Sequence, residues 1–393
     1  MRTNDVKDQC ERINLTVFFS YGISLKHWVE SGLVDREVTL YKKLMEKGIR
    51  VTFVTYGDEQ DYLYIDKVKG INIIPIYSKI SKSNNQYFKI MQSFFILPFV
   101  LKQYLKKEDI FKTNQMWGAW VAIFSGLLCK KKVVLRCGYE RYKNTRKRLR
   151  ESGRFVAMLL LKYISKYSYK FSDKIILTSE GIERFVVVEY AINPGKITVL
   201  YNYIDIHLFK PMSLKKEDCK ILYIGRLSKE KNIYTLLDAI AKTDFQLDII
   251  GDGDLFADIE TYIDRHSINA NLLGRFPNTK LSKIINSYPV FVLPSYYEGN
   301  PKALLEAMAC GCAVIGTNVE GIKEIIVDGE TGILCENNSD SIGQAINTLM
   351  KDQMLREKLG NNARDFVIEK CDLDYVTEKE YCIYKELLGV SSN

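Results

Sequence analysis

Two glutamates with seven residues between them, Glu298 and Glu306, lie in the stretch Pro294-Ser-Tyr-Tyr-Glu298-Gly299-Asn300-Pro301-Lys302-Ala-Leu-Leu-Glu306-Ala-Met-Ala-Cys310-Gly311. Pro301 suits the first turn of a helix, where its missing N–H costs nothing. Glu298 then sits in the loop before that helix, and Glu306 about a turn and a half inside it. Loop and helix start form a pocket edge, with Glu298 able to accept sugar hydroxyls and Glu306 a ribose diol. If Leu304, Leu305 and Met308 pack, Glu306 faces away from solvent, and a buried carboxylate demands a partner. By residue type alone the two are a general acid/base pair, a binding pair or plain surface charge.

A second constellation is Gly225-Arg226-Leu227 after an apolar β-rich run, with Lys231-Asn232 opening the next helical pattern. Helix N-termini carry unpaired N–H groups and a partial positive charge, so a strand–glycine–loop–helix junction receives anions. Arg226 can fork onto phosphate oxygens and Lys231 adds a second cation, together holding a diphosphate and stabilising it as it leaves. The alternative is an ordinary solvated loop with two surface charges. Gly251-Asp252-Gly253 closes the next strand, but Phe256 stands where a dinucleotide fingerprint needs its third glycine. No G-x-x-x-x-G-K-[ST] sequence occurs. These absences argue against a nicotinamide enzyme and a P-loop NTPase.

The elements that must position these residues read as two tandem α/β units. In the first, strands are expected at Ile13–Ser20, Val51–Thr55, Ile71–Ile76, Ile110–Lys112, Val133–Leu135, Lys174–Thr178 and Ile197–Leu200. A helix is expected at Glu37–Lys47, and a buried one from Trp117 to Cys129, which is too short to span a membrane. A polar break with Pro211 at Asn202–Asp218 suits a linker. Strands resume at Ile221–Ile224, Gln246–Ile250, Asn271–Leu273, Val290–Leu293, Ala313–Gly316 and Gly332–Cys335. Helices are expected between them at Asn232–Ala241, Leu255–Arg265, Lys280–Ile285, Pro301–Ala309 and Ile322–Val327, and in the tail at Ser339–Asn361 and Tyr375–Leu388. Apolar β-branched runs alternating with helical segments predict mostly parallel sheets covered on both faces.

The 393 residues are 47% apolar and 26% charged, which excludes coiled coil, collagen and wholesale disorder. The formal charge of +8 is local: residues 130–174 hold fifteen Lys/Arg against Glu140, Glu151 and Asp173, so the rest of the chain is net acidic. Nine cysteines without framework spacing, behind a Met1–Glu11 segment too polar for a signal peptide, point to a reducing, cytoplasmic setting. Cys310-Gly311-Cys312 is a C-x-C pair, but the three histidines are scattered. No metal site is expected.

The Glu298/Glu306 segment resembles the E-x7-E signature of the retaining nucleotide-sugar glycosyltransferases of family 4. Gly299 and the stretch Ala307–Gly311 match its surroundings. Gly225-Arg226-Leu227 with Lys231 is similar to the family's diphosphate site. Gly251-Asp-Gly253, Leu273-Gly274, Asn202 with Asp205 and Pro211, Glu320-Gly321-x-x-Glu324 and Asp328-Gly329-x-Thr-Gly332 follow in the family's order. The resemblance implies a GT-B fold, α/β, with two Rossmann-like domains facing across a cleft: residues 1–205 on the acceptor side, residues 206–372 binding the nucleotide sugar, and a helix in 373–393 crossing back to the first. It implies retaining transfer from a nucleotide diphosphate sugar, with no cofactor and no metal because Arg226 and Lys231 neutralise the diphosphate. Glu298 would hold donor hydroxyls and Glu306 the ribose. Backbone N–H groups around Gly299, Asn300, Pro301 and Lys302 would hold phosphate and sugar, and Arg275 and Phe276 would flank the base.

The first unit matches less tightly. Ser20-Tyr21-Gly22-Ile23-Ser24 lies where the family's first loop contacts the donor phosphate, and Gly22 is a plausible close-approach point. Where many relatives carry a histidine this chain has Arg136-Cys137-Gly138, so Arg136 and Cys137 stand as acceptor or donor-sugar contacts. The basic segment is a solvated face, a nucleic-acid surface or an anionic-membrane surface. The mixture of Phe155, Val156, Met158, Leu159, Leu160 and Ile164 with Lys162 and Lys166 favours the membrane, and no nucleic acid is expected. The leading expectation is therefore a transferase, peripheral on the inner leaflet, acting on a glycan or polyprenyl-linked acceptor in cell-surface polysaccharide synthesis. Its alternatives are a soluble or glucan acceptor and an inactive nucleotide-sugar-binding scaffold.

Overall fold

A computed structural model describes residues 12–390. Met1–Glu11, read above as too polar for a signal peptide, lies outside the described residues. The chain divides into two compact units. One comprises residues up to Ile176, Phe185–Thr198 and those from Thr377 on; the other comprises Leu177–Arg184 and Val199–Val376.

The first sheet contains β1 (Asn14–Phe18), β2 (Arg50–Thr55), β3 (Asn72–Pro75), β4 (Ile110–Thr113), β5 (Lys132–Cys137), β6 (Lys174–Leu177) and β7 (Ile197–Val199). Their order is β3-β2-β1-β4-β5-β6-β7, and the pairs β1–β2, β2–β3, β1–β4 and β4–β5 are parallel. The helices along this part of the chain are α1 (Leu25–Glu30), α2 (Val34–Glu46), α3 (Gln86–Phe95), α4 (Leu97–Lys102), α5 (Ala119–Cys129), α6 (Arg141–Glu151), α7 (Phe155–Phe171) and α8 (Glu180–Tyr190). As expected, α5 is mostly buried. Its start needs Gly118: the residue has φ +100°, and a Cβ there would lie 2.7 Å from the Tyr21 amide nitrogen in the loop after β1.

The second sheet contains β8 (Lys220–Ile224), β9 (Gln246–Ile250), β10 (Ala270–Gly274), β11 (Val290–Leu293), β12 (Ala313–Thr317) and β13 (Ile333–Cys335) in the order β10-β9-β8-β11-β12-β13. Every pairing is parallel. Strands β11 and β12 are buried along their whole length, as strands with helices on both faces must be. The helices are α9 (Ile233–Ile240), α10 (Phe256–His266), α11 (Asn278–Asn286), α12 (Lys302–Ala309), α13 (Glu320–Lys323), α14 (Ser339–Lys351), α15 (Gln353–Cys371) and α16 (Leu373–Leu388).

Among the boundaries that differ from the sequence reading are three in the second unit. Pro301 is the N-cap of α12, in extended backbone, so the helix begins at Lys302. The expected Ser339–Asn361 helix breaks at Asp352, which is extended and accepts the Leu355 N–H to start α15. The expected Ile322–Val327 helix is the shorter, earlier α13.

From Thr377 on, α16 belongs to the first unit, and its Glu380 explains an oddity of β4. Lys112 is a lysine in a fully buried strand. Its ammonium meets Glu380 Oε2 at 2.5 Å, Arg136 donates to Oε1 at 2.9 Å, and the Tyr384 hydroxyl donates to Oε2 at 2.6 Å. One wholly buried carboxylate thus serves two cations and a phenol. Burial pulls Lys112 down to about 8. Burial alone would raise the Glu380 carboxyl, but Lys112 and Arg136 outweigh it and hold it below the ordinary range.

Candidate functional site

In open α/β sheets ligands sit outside the carboxyl ends of the strands, where the strand order reverses. In the second unit that point falls between β8, from which β9 and β10 run one way, and β11, which starts the other way. The loops leaving these two strands are Gly225–Asn232 and Pro294–Pro301, the two stretches whose residue types point to chemistry.

The first loop closes through a short turn at Lys229–Lys231 and ends at Asn232, which has a left-handed backbone (φ +54°) and precedes α9. Asparagine tolerates that conformation. Its side chain links three segments: Nδ2 donates to the Pro294 carbonyl at 3.0 Å and also contacts Asn337 Oδ1, while Oδ1 accepts from Thr235 at 2.7 Å. With Tyr296 N–H donating to the Glu230 carbonyl at 2.9 Å, the two loops are bolted together.

That bolting brings Lys231 to Glu298. The ammonium contacts Oε1 at 2.5 Å, and the wholly buried Ser295 hydroxyl donates to the same oxygen at 2.7 Å. The Glu298 side chain is only 10% exposed. Arg226 lies exposed in the same loop as Lys231. Glycines set the spacing below them. A Cβ on Gly251, at φ +147°, would lie 1.8 Å from the Gly225 carbonyl oxygen, and one on Gly253 would lie 2.3 Å from that of Leu227. The Gly251-Asp252-Gly253 turn therefore supports the phosphate-loop candidate from beneath by close backbone approach.

Glu306, on α12, is 2% exposed, facing away from solvent as the packing of Leu304, Leu305 and Met308 predicts. A partner is Asn278 at the start of α11, whose Nδ2 donates to Oε1 at 3.0 Å; sequence reasoning missed it, and no local pattern marks it. Asn300 exchanges two bonds with Asn202: its Oδ1 accepts the Asn202 N–H and its carbonyl accepts Asn202 Nδ2, each at 2.7 Å. The Asn300 Nδ2 is buried with no hydrogen-bond partner. Lys302 lies over the Tyr203 ring at 4.6 Å. Gly299 is held by Gly321, where a Cβ would lie 2.5 Å from the Gly299 carbonyl oxygen. Arg275 follows β10 and pairs with Asp252 at 3.0 Å, with Phe276 partly exposed beside it.

Glu298, Lys231, Arg226, Glu306, Gly299, Asn300, Pro301, Lys302, Arg275 and Phe276 thus all belong to the second unit. Gly22, Arg136 and Cys137 belong to the first. Gly22 has φ +82° and open space beside it, so only its backbone conformation calls for glycine. Arg136 and Cys137 depart from the expectation of a sugar contact. The Arg136 guanidinium is buried and engaged by Glu380. Cys137 is wholly buried, and burial pushes its thiol up to about 12, so it is no nucleophile. Among the described residues, no group of three or more His, Cys, Asp or Glu side chains is placed to hold a metal ion. No helix there is long and apolar enough to cross a membrane.

Comparison with known proteins agrees with this division. The model described as Glycosyltransferase Family 4 matches residues 32–208, and that described as Glycosyl transferases group 1 matches residues 206–366. A curated relative from Campylobacter jejuni, N-acetylgalactosamine-N,N'-diacetylbacillosaminyl-diphospho-undecaprenol 4-alpha-N-acetylgalactosaminyltransferase, is 32% identical over 52% of this chain and 58% of its own length. The UDP-Gal:alpha-D-GlcNAc-diphosphoundecaprenol alpha-1,3-galactosyltransferase of Escherichia coli is 25% identical over 84% of this chain and 87% of that protein. The chain spans less than two thirds of the length of several curated relatives it matches. Among solved structures, the sucrose-phosphate synthase of Thermosynechococcus elongatus superposes with a TM-score of 0.80 at 20% identity, covering 97% of this chain and all of the other. Its two parallel sheets are of the GT-B kind, and the two family models, which together span residues 32–366, relate the chain to the glycosyltransferases of family 4 and group 1.

Proposed function

We propose that the protein is a retaining glycosyltransferase that moves a sugar from a nucleotide diphosphate sugar to a glycan or polyprenyl-linked acceptor in surface-polysaccharide synthesis. The observation that carries the reading is the Lys231–Glu298 pair, which couples a phosphate-type loop to a sugar-type loop at the switch point of a parallel sheet. Lys231 and Ser295 both bond Oε1 of Glu298, which leaves Oε2 for a donor-sugar hydroxyl. Arg226 and Lys231 supply positive charge for the departing diphosphate. Asn278 fixes Glu306 as an acceptor for the ribose diol. The buried Nδ2 of Asn300, together with the backbone of Gly299, Pro301 and Lys302, suits phosphate and sugar oxygens, and Arg275 with Phe276 flank the base. The acceptor oxygen attacks the anomeric carbon on the face from which the diphosphate departs; the carbon–oxygen bond to the diphosphate breaks, and the acceptor proton passes to the leaving phosphate oxygen.

The names of the Campylobacter jejuni and Escherichia coli relatives refer to diphospho-undecaprenol-linked glycans, which supports a lipid-linked acceptor here. The basic segment 130–174 supports peripheral attachment to the anionic inner leaflet, on the cytoplasmic side. The first test is ligand-observed NMR with UDP, GDP, ADP and TDP sugars, using Arg226→Ala as control. Saturation transfer to one nucleotide class, lost in the control, is the expected result. Transfer that persists unchanged in Arg226→Ala overturns the site assignment.

A further inference from the structure

Between α3, α5 and α7 lies an apolar groove of about 410 Å³, walled by Phe94, Trp120, Ile123, Leu160, Ile164 and Phe171. That is within the size range of small-molecule sites, about 300–1,000 Å³. Its inner wall is held in place: Trp120 stacks on Phe94 with centroids 4.8 Å apart, and its indole N–H donates to the buried Ser93 hydroxyl at 2.9 Å. Around it stand large apolar side chains turned to solvent, including Tyr87 (82% exposed), Phe95 (69%), Phe99, Val156 (72%) and Leu160 (58%). An apolar patch of this kind marks an interaction surface.

The charge pattern says what covers it. Residues 79–107, which contain α3 and α4, carry Lys79, Lys82, Lys89, Lys102, Lys106 and Lys107 and no carboxylate. Residues 152–172, which contain α7, carry Arg154, Lys162, Lys166 and Lys170 and again none. Lys162 is engaged by Glu189; no ion pair is seen for the others among the described residues. A second copy of the chain seated here would set like charge against like charge. An anionic bilayer answers both features at once, with phosphates for the cations and hydrocarbon for the apolar side chains.

We infer that this face is a lipid-docking surface in which α3, α4 and α7 lie on an anionic bilayer and the groove takes one hydrocarbon chain of an anionic lipid. The inference deepens the membrane part of the proposed function and rests on it for the presence of a bilayer; to α7, which lies within segment 130–174, it adds α3 and α4, which lie outside it.

The test uses the full chain with vesicles of phosphatidylcholine with and without phosphatidylglycerol. Flotation with the anionic vesicles is expected, and Phe95→Asp with Leu160→Asp should weaken it by about tenfold or more, since both side chains lose their apolar burial in the hydrocarbon. Both positions are solvent-facing, and circular dichroism checks that the variant is folded. Phosphatidylglycerol brominated along its chains should quench tryptophan emission in the wild type and much less in Trp120→Phe. Unchanged flotation of the Asp variant, or bromine quenching indifferent to Trp120, overturns the inference. Flotation lost only in Lys130→Glu with Arg150→Glu, two exposed positions of segment 130–174 outside α7, overturns it while leaving attachment through that segment standing. Failure of the wild type to bind any vesicle removes both, and NMR donor binding then stands by itself.

Discussion

Replacing Glu380 with Gln should be among the most destabilising single changes outside the candidate site. The substitution keeps the volume and removes the charge, leaving Lys112 and Arg136 side by side in the interior of the first unit. Breaking a buried ion pair from one side costs about 3–5 kcal/mol, and here two cations lose the same partner. At about 2–4 °C per kcal/mol for a domain of this size, the melting transition of the first unit should fall by roughly 6–20 °C. Differential scanning calorimetry with urea titration reads both numbers. The triple variant Lys112→Met, Arg136→Met, Glu380→Leu is the control, because replacing a whole buried ionic group by apolar residues is often neutral or stabilising. The pH dependence supplies a second check. The native Glu380 carboxyl lies below its ordinary value, so its contribution is fully present above about 4.5 and is lost as pH falls through the lower native value. Glu380→Gln should lack that part of the acid sensitivity. A loss under about 1 kcal/mol, or a triple variant as unstable as the single one, would refute the reasoning.

Other outcomes follow from the second unit and from Cys137 of the first. Glu298→Gln should lower kcat/KM by about 10- to 100-fold, the range for a charge-assisted hydrogen bond worth about 1.5–3 kcal/mol, as measured by release of the nucleoside diphosphate; a change under twofold would count against the sugar role. Gly251→Ala should destabilise the unit by about 1–3 kcal/mol through overpacking and backbone strain and weaken nucleotide binding, read by urea titration and calorimetry. Asn278→Ala should raise KM for the donor more than it lowers kcat, since Asn278 orients Glu306 rather than touching the reacting centre; equal effects on both in steady-state kinetics would contradict that. Cys137→Ser should keep transferase activity and resist thiol reagents no better than the wild type, because the native thiol is buried and protonated near neutral pH.

The two strands that carry the site loops were legible because Ile221–Ile224 and Val290–Leu293 are short, apolar throughout and followed by glycine or proline, and burial on both faces demands that pattern. Glu298 and Glu306 were legible as a pair because one precedes and one lies within a helix whose apolar positions predict which side is inward. Lys112 carried a readable signal, a lone charge in an apolar strand. Its partner Glu380 carried none: it sits on an ordinary polar-patterned helix far along the chain, and only packing brings the two together. The same distance hid Asn278 from Glu306 and Asn337 from Asn232. Arg136 shows the converse, since its place where many relatives carry a histidine suggested a ligand contact while packing turned it onto Glu380. Helices α3 and α4 escaped the sequence reading because their apolar residues face outward as well as inward, which blurs the periodicity of a water-facing helix.

What the sequence determined by itself is the alternation of strands and helices, the loops that carry phosphate-type and sugar-type residues, and the sign of the local charge, since these depend on side-chain chemistry and near-neighbour spacing. Tertiary structure alone decided which carboxylate meets which cation, which glycine faces a backbone oxygen, and which apolar side chains remain in water. Those outcomes depend on parallel crossovers that join residues tens to hundreds of positions apart, and no local pattern encodes the partner at the far end.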